Sequence, residues 1–124
     1  MRRIAQKHDF TQNPAMQLLD ESTYHRQLMQ TRGPALVLFS SQACGTCRQV
    51  ERLLPSSAPE GATLFKVDVQ VASALARAFE VFHLPTLLLY LDGHYHACLN
   101  CEVTPTALHA AIEQAVNQPA EEEP

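Results

Sequence analysis

The sequence predicts one α/β domain whose single mixed sheet carries helices on both faces. Three observations point there. Strand-like and helix-like segments alternate in the order βαβαβαββα, which right-handed crossovers fold into one sheet with helices above and below it. Ala35-Leu36-Val37-Leu38-Phe39 is apolar without a break, as a central strand covered on both sides must be. Residues 86–91 and 95–99 flank Asp92-Gly93, the turn chemistry of a tight antiparallel hairpin.

Each element has its own signal. Residues 1–13 show no clear periodicity and read as an N-terminal extension. The short apolar stretch 15–19 is a first strand. Asp20, Glu21 and Ser22 then bring carboxylates and a hydroxyl to a helix start, where backbone N–H groups lack partners. Tyr24, Leu28 and Met29 line one face of that helix, and Gly33-Pro34 closes it. After strand 35–39 a loop leads to Cys44. Val50, Leu53 and Leu54 continue from Cys47 at helical spacing, and Pro55 is expected to end that helix. Residues 62–69 alternate, with Phe65, Val67 and Val69 on one face and Lys66 and Asp68 on the other. Val71, Leu75, Ala78 and Phe79 suit a third helix. Thr104-Pro105 opens the last one, through Leu108, Ala111, Ile112 and Ala115. The folded domain is expected over 14–117, and residues 118–124 read as a disordered acidic tail.

Composition narrows the function. A chain of 124 residues buries a core without disulfide staples, so its four cysteines are available for chemistry. The net charge of −4 is concentrated in Glu121, Glu122 and Glu123, and the nearly neutral body argues against a nucleic-acid partner. Arg2, Arg3 and Lys7 read as a short solvated arm. Residues 1–12 carry no apolar signal-like stretch, and no apolar run approaches the ~18 residues that a membrane span needs. The longest run, 84–91, contains Pro85 and fits a buried strand. A cytoplasmic, reducing location is therefore expected, where paired cysteines are more often catalytic or metal-binding than structural.

The chemistry centres on Cys44-Gly45-Thr46-Cys47, which follows a buried strand and opens a helix. At a helix N-terminus, unpaired N–H groups and the macrodipole favour a thiolate. Two intervening residues let a second thiol reach the first sulfur across one turn. The competing reading is half of a zinc site, which needs two more ligands. Strand–motif–helix context favours redox.

With these features in register the chain resembles the thioredoxin family over about residues 15–117. The resemblance rests on Cys44-Gly45-Thr46-Cys47, on Lys66-Val67-Asp68-Val69, and on Leu84-Pro85-Thr86 ahead of Leu87-Leu88-Leu89-Tyr90 and the Asp92-Gly93 turn. It implies the thioredoxin fold and a protein-disulfide oxidoreductase. Cys44 would be the exposed attacking thiolate and Cys47 the buried resolving thiol. Gly45 and Thr46 would set the turn, Pro85 would be cis against the cysteines, and Leu84 would offer its backbone to the client as a short added strand. The implied partners are protein disulfide clients and a thioredoxin-reductase-like or glutathione-type reductant. No cofactor is expected, and a monomer is.

The sequence also departs from the family. The usual tryptophan before the first cysteine is Ala43, and the proline common between the cysteines is Thr46, whose hydroxyl favours a more oxidising couple. The family's buried aspartate, six positions before the first cysteine, is Leu38. Its lysine partner remains as Lys66, which is expected to reach solvent in preference to pairing with Asp68. With Pro55 ending the helix early, these losses point to a specialised or slow oxidoreductase, with a thioredoxin-fold binding module or co-chaperone as the alternative. Cys98 and Cys101 repeat the motif's spacing at a strand end, where nothing activates them and opposite-facing side chains disfavour a mutual disulfide. They read first as buried or edge cysteines of ordinary packing and second as regulatory or relay thiols, with Cys101 close to the active-site surface by the register of the resemblance. His94, His96 and Cys98 share a face at period two, more as polar cover than as metal ligands. Four cysteines holding zinc or an iron–sulfur cluster is the remaining rival.

Overall fold

A computed structural model describes residues 16–124 of the chain. The N-terminal arm with Arg2, Arg3 and Lys7, and Ala15, lie outside the described residues. The elements are β1 (Met16–Leu19), α1 (Tyr24–Met29), β2 (Pro34–Ser40), α2 (Gly45–Ser57), β3 (Thr63–Asp68), α3 (Ser73–Ala78), β4 (Thr86–Leu91), β5 (His94–Leu99) and α4 (Pro105–Val116). The five strands stand in the order β1-β3-β2-β4-β5. β1 and β2 run parallel to β3, while β4 runs antiparallel to β2 and β5 antiparallel to β4. This is the mixed sheet the alternation predicts.

The unbroken apolar run of β2 divides between two cores. Ala35, Val37 and Phe39 pack with Tyr24 and Leu28 of α1, Leu75 of α3, and Phe65 and Val67 of β3. Leu36 and Leu38 face the other way, against Val50 and Leu54 of α2 and Leu108 and Ile112 of α4. Period-two alternation thus puts α1 and α3 on one face and α2 and α4 on the other. Two buried phenols, Tyr24 and Tyr90, satisfy each other at 2.8 Å, and burial pushes both far above the ordinary tyrosine range.

The hairpin turn forms as read. Asp92 and Gly93 both have positive φ, at 51° and 83°, and the Asp92 carboxylate accepts the Gly33 N–H at 2.7 Å. A Cβ at Gly93 would stand 3.0 Å from the Leu28 carbonyl oxygen, so the turn also allows close approach to α1. At α4, Pro105 takes the first turn, and the Thr104 hydroxyl accepts the Ala107 N–H at 3.1 Å.

Three expectations are corrected. Pro55 does not end α2, which runs on to Ser57. A proline removes one backbone bond and costs helix stability, but Leu54 just before it is fully buried in the core, the Ala58 N–H donates to the Leu54 carbonyl at 2.9 Å, and His109 Nδ1 meets the Ser57 carbonyl at 3.2 Å, while Pro55 faces outward. Val71 precedes α3 and is exposed. The tail read as disordered touches the sheet: the Glu121 N–H donates to the His96 carbonyl at 2.7 Å, and its carboxylate accepts the Cys98 N–H at 3.0 Å. Composition counts apolar area and misses backbone groups left open on an edge strand. No helix among the described residues is long and apolar enough to cross a membrane.

Candidate active site

Strand β2 delivers the chain into the loop 41–43, and Cys44 caps the N-terminus of α2. Its backbone is extended (φ −97°, ψ 103°), its N–H donates to the Ser41 carbonyl at 3.2 Å, and its sulfur accepts the Cys47 N–H at 3.1 Å. The cysteine thus does for α2 what a serine or aspartate cap does elsewhere. Cys44 and Cys47 are joined as a disulfide with their Cα atoms 5.3 Å apart. Cys47 is fully buried, Cys44 is half-buried, and Gly45 and Thr46 are exposed. One sulfur meets solvent at a helix N-terminus; the other sits behind it. A donor and the macrodipole aimed at Cys44 stabilise negative charge on that sulfur when the pair is reduced.

The start of β4 lies at the same end of the sheet. Phe39 of β2 pairs with Thr86, so Pro85 follows the ladder beyond its last pair, next to the strand that leads to Cys44. The Leu84–Pro85 peptide is cis. Both residues are half-buried, and the Thr86 hydroxyl donates to the His83 carbonyl at 2.7 Å. Pro85 lines a small cleft with Val50, Leu99, Cys101 and Leu108, and Val50 lies three residues beyond Cys47 on α2.

Lys66 corrects both alternatives weighed for it. Its Nζ stands 3.2 Å from the Glu51 carboxylate on α2, neither left to solvent nor paired with Asp68. The Asp68 carboxylate instead accepts the Gln70 N–H at 2.9 Å. Leu38 is the cross-strand neighbour of Lys66 and is fully buried, so a carboxylate from the helix partners this lysine, not one from β2. Sequence reasoning missed Glu51. Its position four residues after Cys47, on the same helical face, was the available signal.

Cys98 and Cys101 are free thiols and exposed, which corrects the expectation of buried packing but keeps Cys98 on an edge strand. Partial burial and then a nearby carboxylate, Glu121 for Cys98 and Glu102 for Cys101, push both thiols above the usual range. The shared face of His94, His96 and Cys98 does not form. The β4–β5 register shifts between Leu89 and Tyr90, which pair with Ala97 and Tyr95, so His96 is an extra residue. His96 turns inward, where its Nε2 meets the Ala115 carbonyl at 2.7 Å, while His94 and Cys98 stay exposed. Among the described residues no group of three or more His, Cys, Asp or Glu side chains is placed to hold a metal ion.

A mixed sheet with a two-cysteine disulfide where its central strand passes into a helix defines a redox-disulfide α/β domain. Comparison makes the class specific. The thioredoxin family model matches residues 15–114, and the chain belongs to the thioredoxin family. The thioredoxin of Mycobacterium tuberculosis is 34% identical over 76 residues, covering 59% of this chain and 66% of that protein, so the matched segment spans just under two thirds of this relative. The bifunctional thioredoxin reductase/thioredoxin of Mycobacterium leprae is 30% identical over 76 residues, 59% of this chain and 17% of that protein. Among solved structures, a mutant thioredoxin from Halobacterium salinarum superposes with a TM-score of 0.69 at 26% identity, covering 88% of this chain and 94% of that one.

Proposed function

We propose that the protein is a thiol–disulfide oxidoreductase that exchanges protein disulfides through Cys44 and Cys47. The observation that carries this is the Cys44–Cys47 disulfide at the N-terminus of α2, with one sulfur accessible and the other buried. In the reducing direction the Cys44 thiolate attacks one sulfur of a client disulfide. A Cys44–client disulfide forms, and the first client sulfur leaves as a thiolate that takes a proton. The Cys47 thiolate then attacks the Cys44 sulfur, releasing the second client thiol and closing the intramolecular disulfide. Two electrons pass to the client, and an external dithiol restores the pair. The Mycobacterium leprae relative, named for a reductase and a thioredoxin in one chain, supports a thioredoxin-reductase-like donor.

Gly45, Thr46, Leu84 and Pro85 take the client contacts in this reading. The exposed Gly45 and Thr46 flank the reactive sulfur, and the Leu84 backbone accepts the client as a short added strand. A monomer working in the cytoplasm is part of the same reading. Insulin reduction tests the proposal: Cys44→Ser abolishes turnover, and Cys47→Ser accumulates a client joined to Cys44. A Cys44→Ser protein that still turns insulin over through a dithiol cycle would overturn it.

A further inference from the structure

The loop between α3 and Pro85 holds a large apolar side chain out into solvent. Phe82 is 87% exposed, more than the other exposed large apolar side chains among the described residues: Leu18, Met29 and Val71. Its neighbours are anchored. Val81 and Leu84 pack onto the core beneath α1 and α3, and the Val81 N–H donates to the Ala76 carbonyl at 2.8 Å. On the other side, the Thr86 hydroxyl holds the His83 carbonyl at 2.7 Å. Both ends of the short segment 82–83 are therefore pinned. An exposed aromatic on a pinned backbone loses little freedom when a partner covers it, because only its two side-chain torsions remain to be ordered.

Its position ties it to the reaction. Phe82 is three residues before Pro85, so the chain places it no more than about 11 Å from that proline. Phe39 pairs with Thr86, which puts this loop at the end of the sheet from which β2 leads to Cys44. Beside the reactive sulfur, Ala43, Gly45 and Thr46 are exposed and small, and offer little apolar area to a client. The large exposed apolar side chain on this stretch is Phe82, two residues before Leu84.

We infer that Phe82 is a specificity-determining residue that packs against an apolar side chain of the client, in an extended segment beside its disulfide. This rests on the oxidoreductase reading and adds which clients the site selects: protein disulfides flanked by large apolar residues, over small or purely polar disulfides. A protein client spans Cys44 and Phe82 together; a low-mass disulfide at Cys44 is too small to reach Phe82 as well.

The test compares insulin with 5,5′-dithiobis(2-nitrobenzoate) as oxidants of the reduced, full-length protein carrying Cys98→Ser and Cys101→Ser, so that only Cys44 and Cys47 react, using Phe82→Ala, Phe82→Leu and Phe82→Glu in that parent. Loss of an apolar anchor is expected to raise KM for insulin about tenfold in Phe82→Ala with kcat nearly unchanged. Phe82→Leu restores most of that loss, and Phe82→Glu is at least as impaired as Phe82→Ala. Reaction with the low-mass disulfide stays within about twofold of the parent in all three. An unchanged KM for insulin in Phe82→Ala and Phe82→Glu would overturn the inference, as would equal losses on both disulfides, which mark a structural role. A parent protein inert toward both disulfides removes the oxidoreductase reading, and the inference falls with it.

Discussion

Lys66 and Glu51 supply a stability term that a double-mutant cycle measures directly. The charged atoms lie 3.2 Å apart, and the side chains keep 28% and 16% of their exposure. Exposed pairs contribute about 0.2–1 kcal/mol, while removing one partner of a fully buried pair costs about 3–5 kcal/mol. This pair lies between those limits, so Lys66→Met or Glu51→Gln alone is expected to cost about 1–3 kcal/mol. The coupling between them is expected at about 1–2 kcal/mol. Methionine keeps the aliphatic stem of Lys66 packed and glutamine keeps the shape of Glu51, so the cycle reports the charge interaction more than lost contacts. Urea titration of the oxidised parent, both singles and the double, at low and at molar salt, gives the number. Partial burial predicts that more than half of the coupling survives molar salt. A coupling below about 0.3 kcal/mol, within the scatter of independent sites, would return Lys66 to solvent and refute the reasoning.

The cysteines and the hairpin allow two further checks. In the reduced protein at neutral pH, iodoacetamide is expected to modify Cys44 at least about tenfold faster than Cys98 or Cys101, because thiolate is the reacting form. Burial and the carboxylates of Glu121 and Glu102 keep those two thiols protonated until well above neutral pH, so their labelling rises only as the solution becomes alkaline. Peptide mapping decides it, and equal labelling of all three would contradict the N-terminal activation of Cys44. At the turn, Gly93→Ala must hold φ near 83° with its methyl 3.0 Å from the Leu28 carbonyl oxygen. A loss of about 1–3 kcal/mol in thermal unfolding is expected, and an unchanged Tm would mean the turn relaxes freely.

Much of this architecture is legible in the chain because local chemistry and tertiary demand agree. The unbroken run of β2 reads as a two-faced strand because its alternate residues enter different cores. The Asp92-Gly93 turn and the Thr104-Pro105 cap follow from backbone rules that need no distant partner. The cysteine pair is legible for the same reason: strand, loop and helix start are contiguous around Cys44. What escapes is set by packing between segments far apart in sequence. Pro55 signals a helix end locally, but burial of Leu54 and the Ala58 N–H bond to its carbonyl carry the helix past it. His94, His96 and Cys98 share a face only in an ideal strand, and one extra residue rotates His96 into the core. The partner of Lys66 sits on α2, 15 residues away, where strand alternation has nothing to say. Phe82 escapes for a different reason: strand alternation and helical spacing say nothing about the exposure of an apolar residue in a loop.

The tail on β5 has a consequence for how the molecule meets copies of itself. An outer strand with open amide groups is a template on which another chain can zip up, and crowded chains do so irreversibly. Here Glu121 occupies the amide of Cys98 and the carbonyl of His96, with two more carboxylates immediately behind. Any intruding strand must first evict a negatively charged occupant from the rim. Residues 118–124, which look like solvent decoration, therefore cover through Glu121 part of the backbone that this side of the sheet would otherwise leave open.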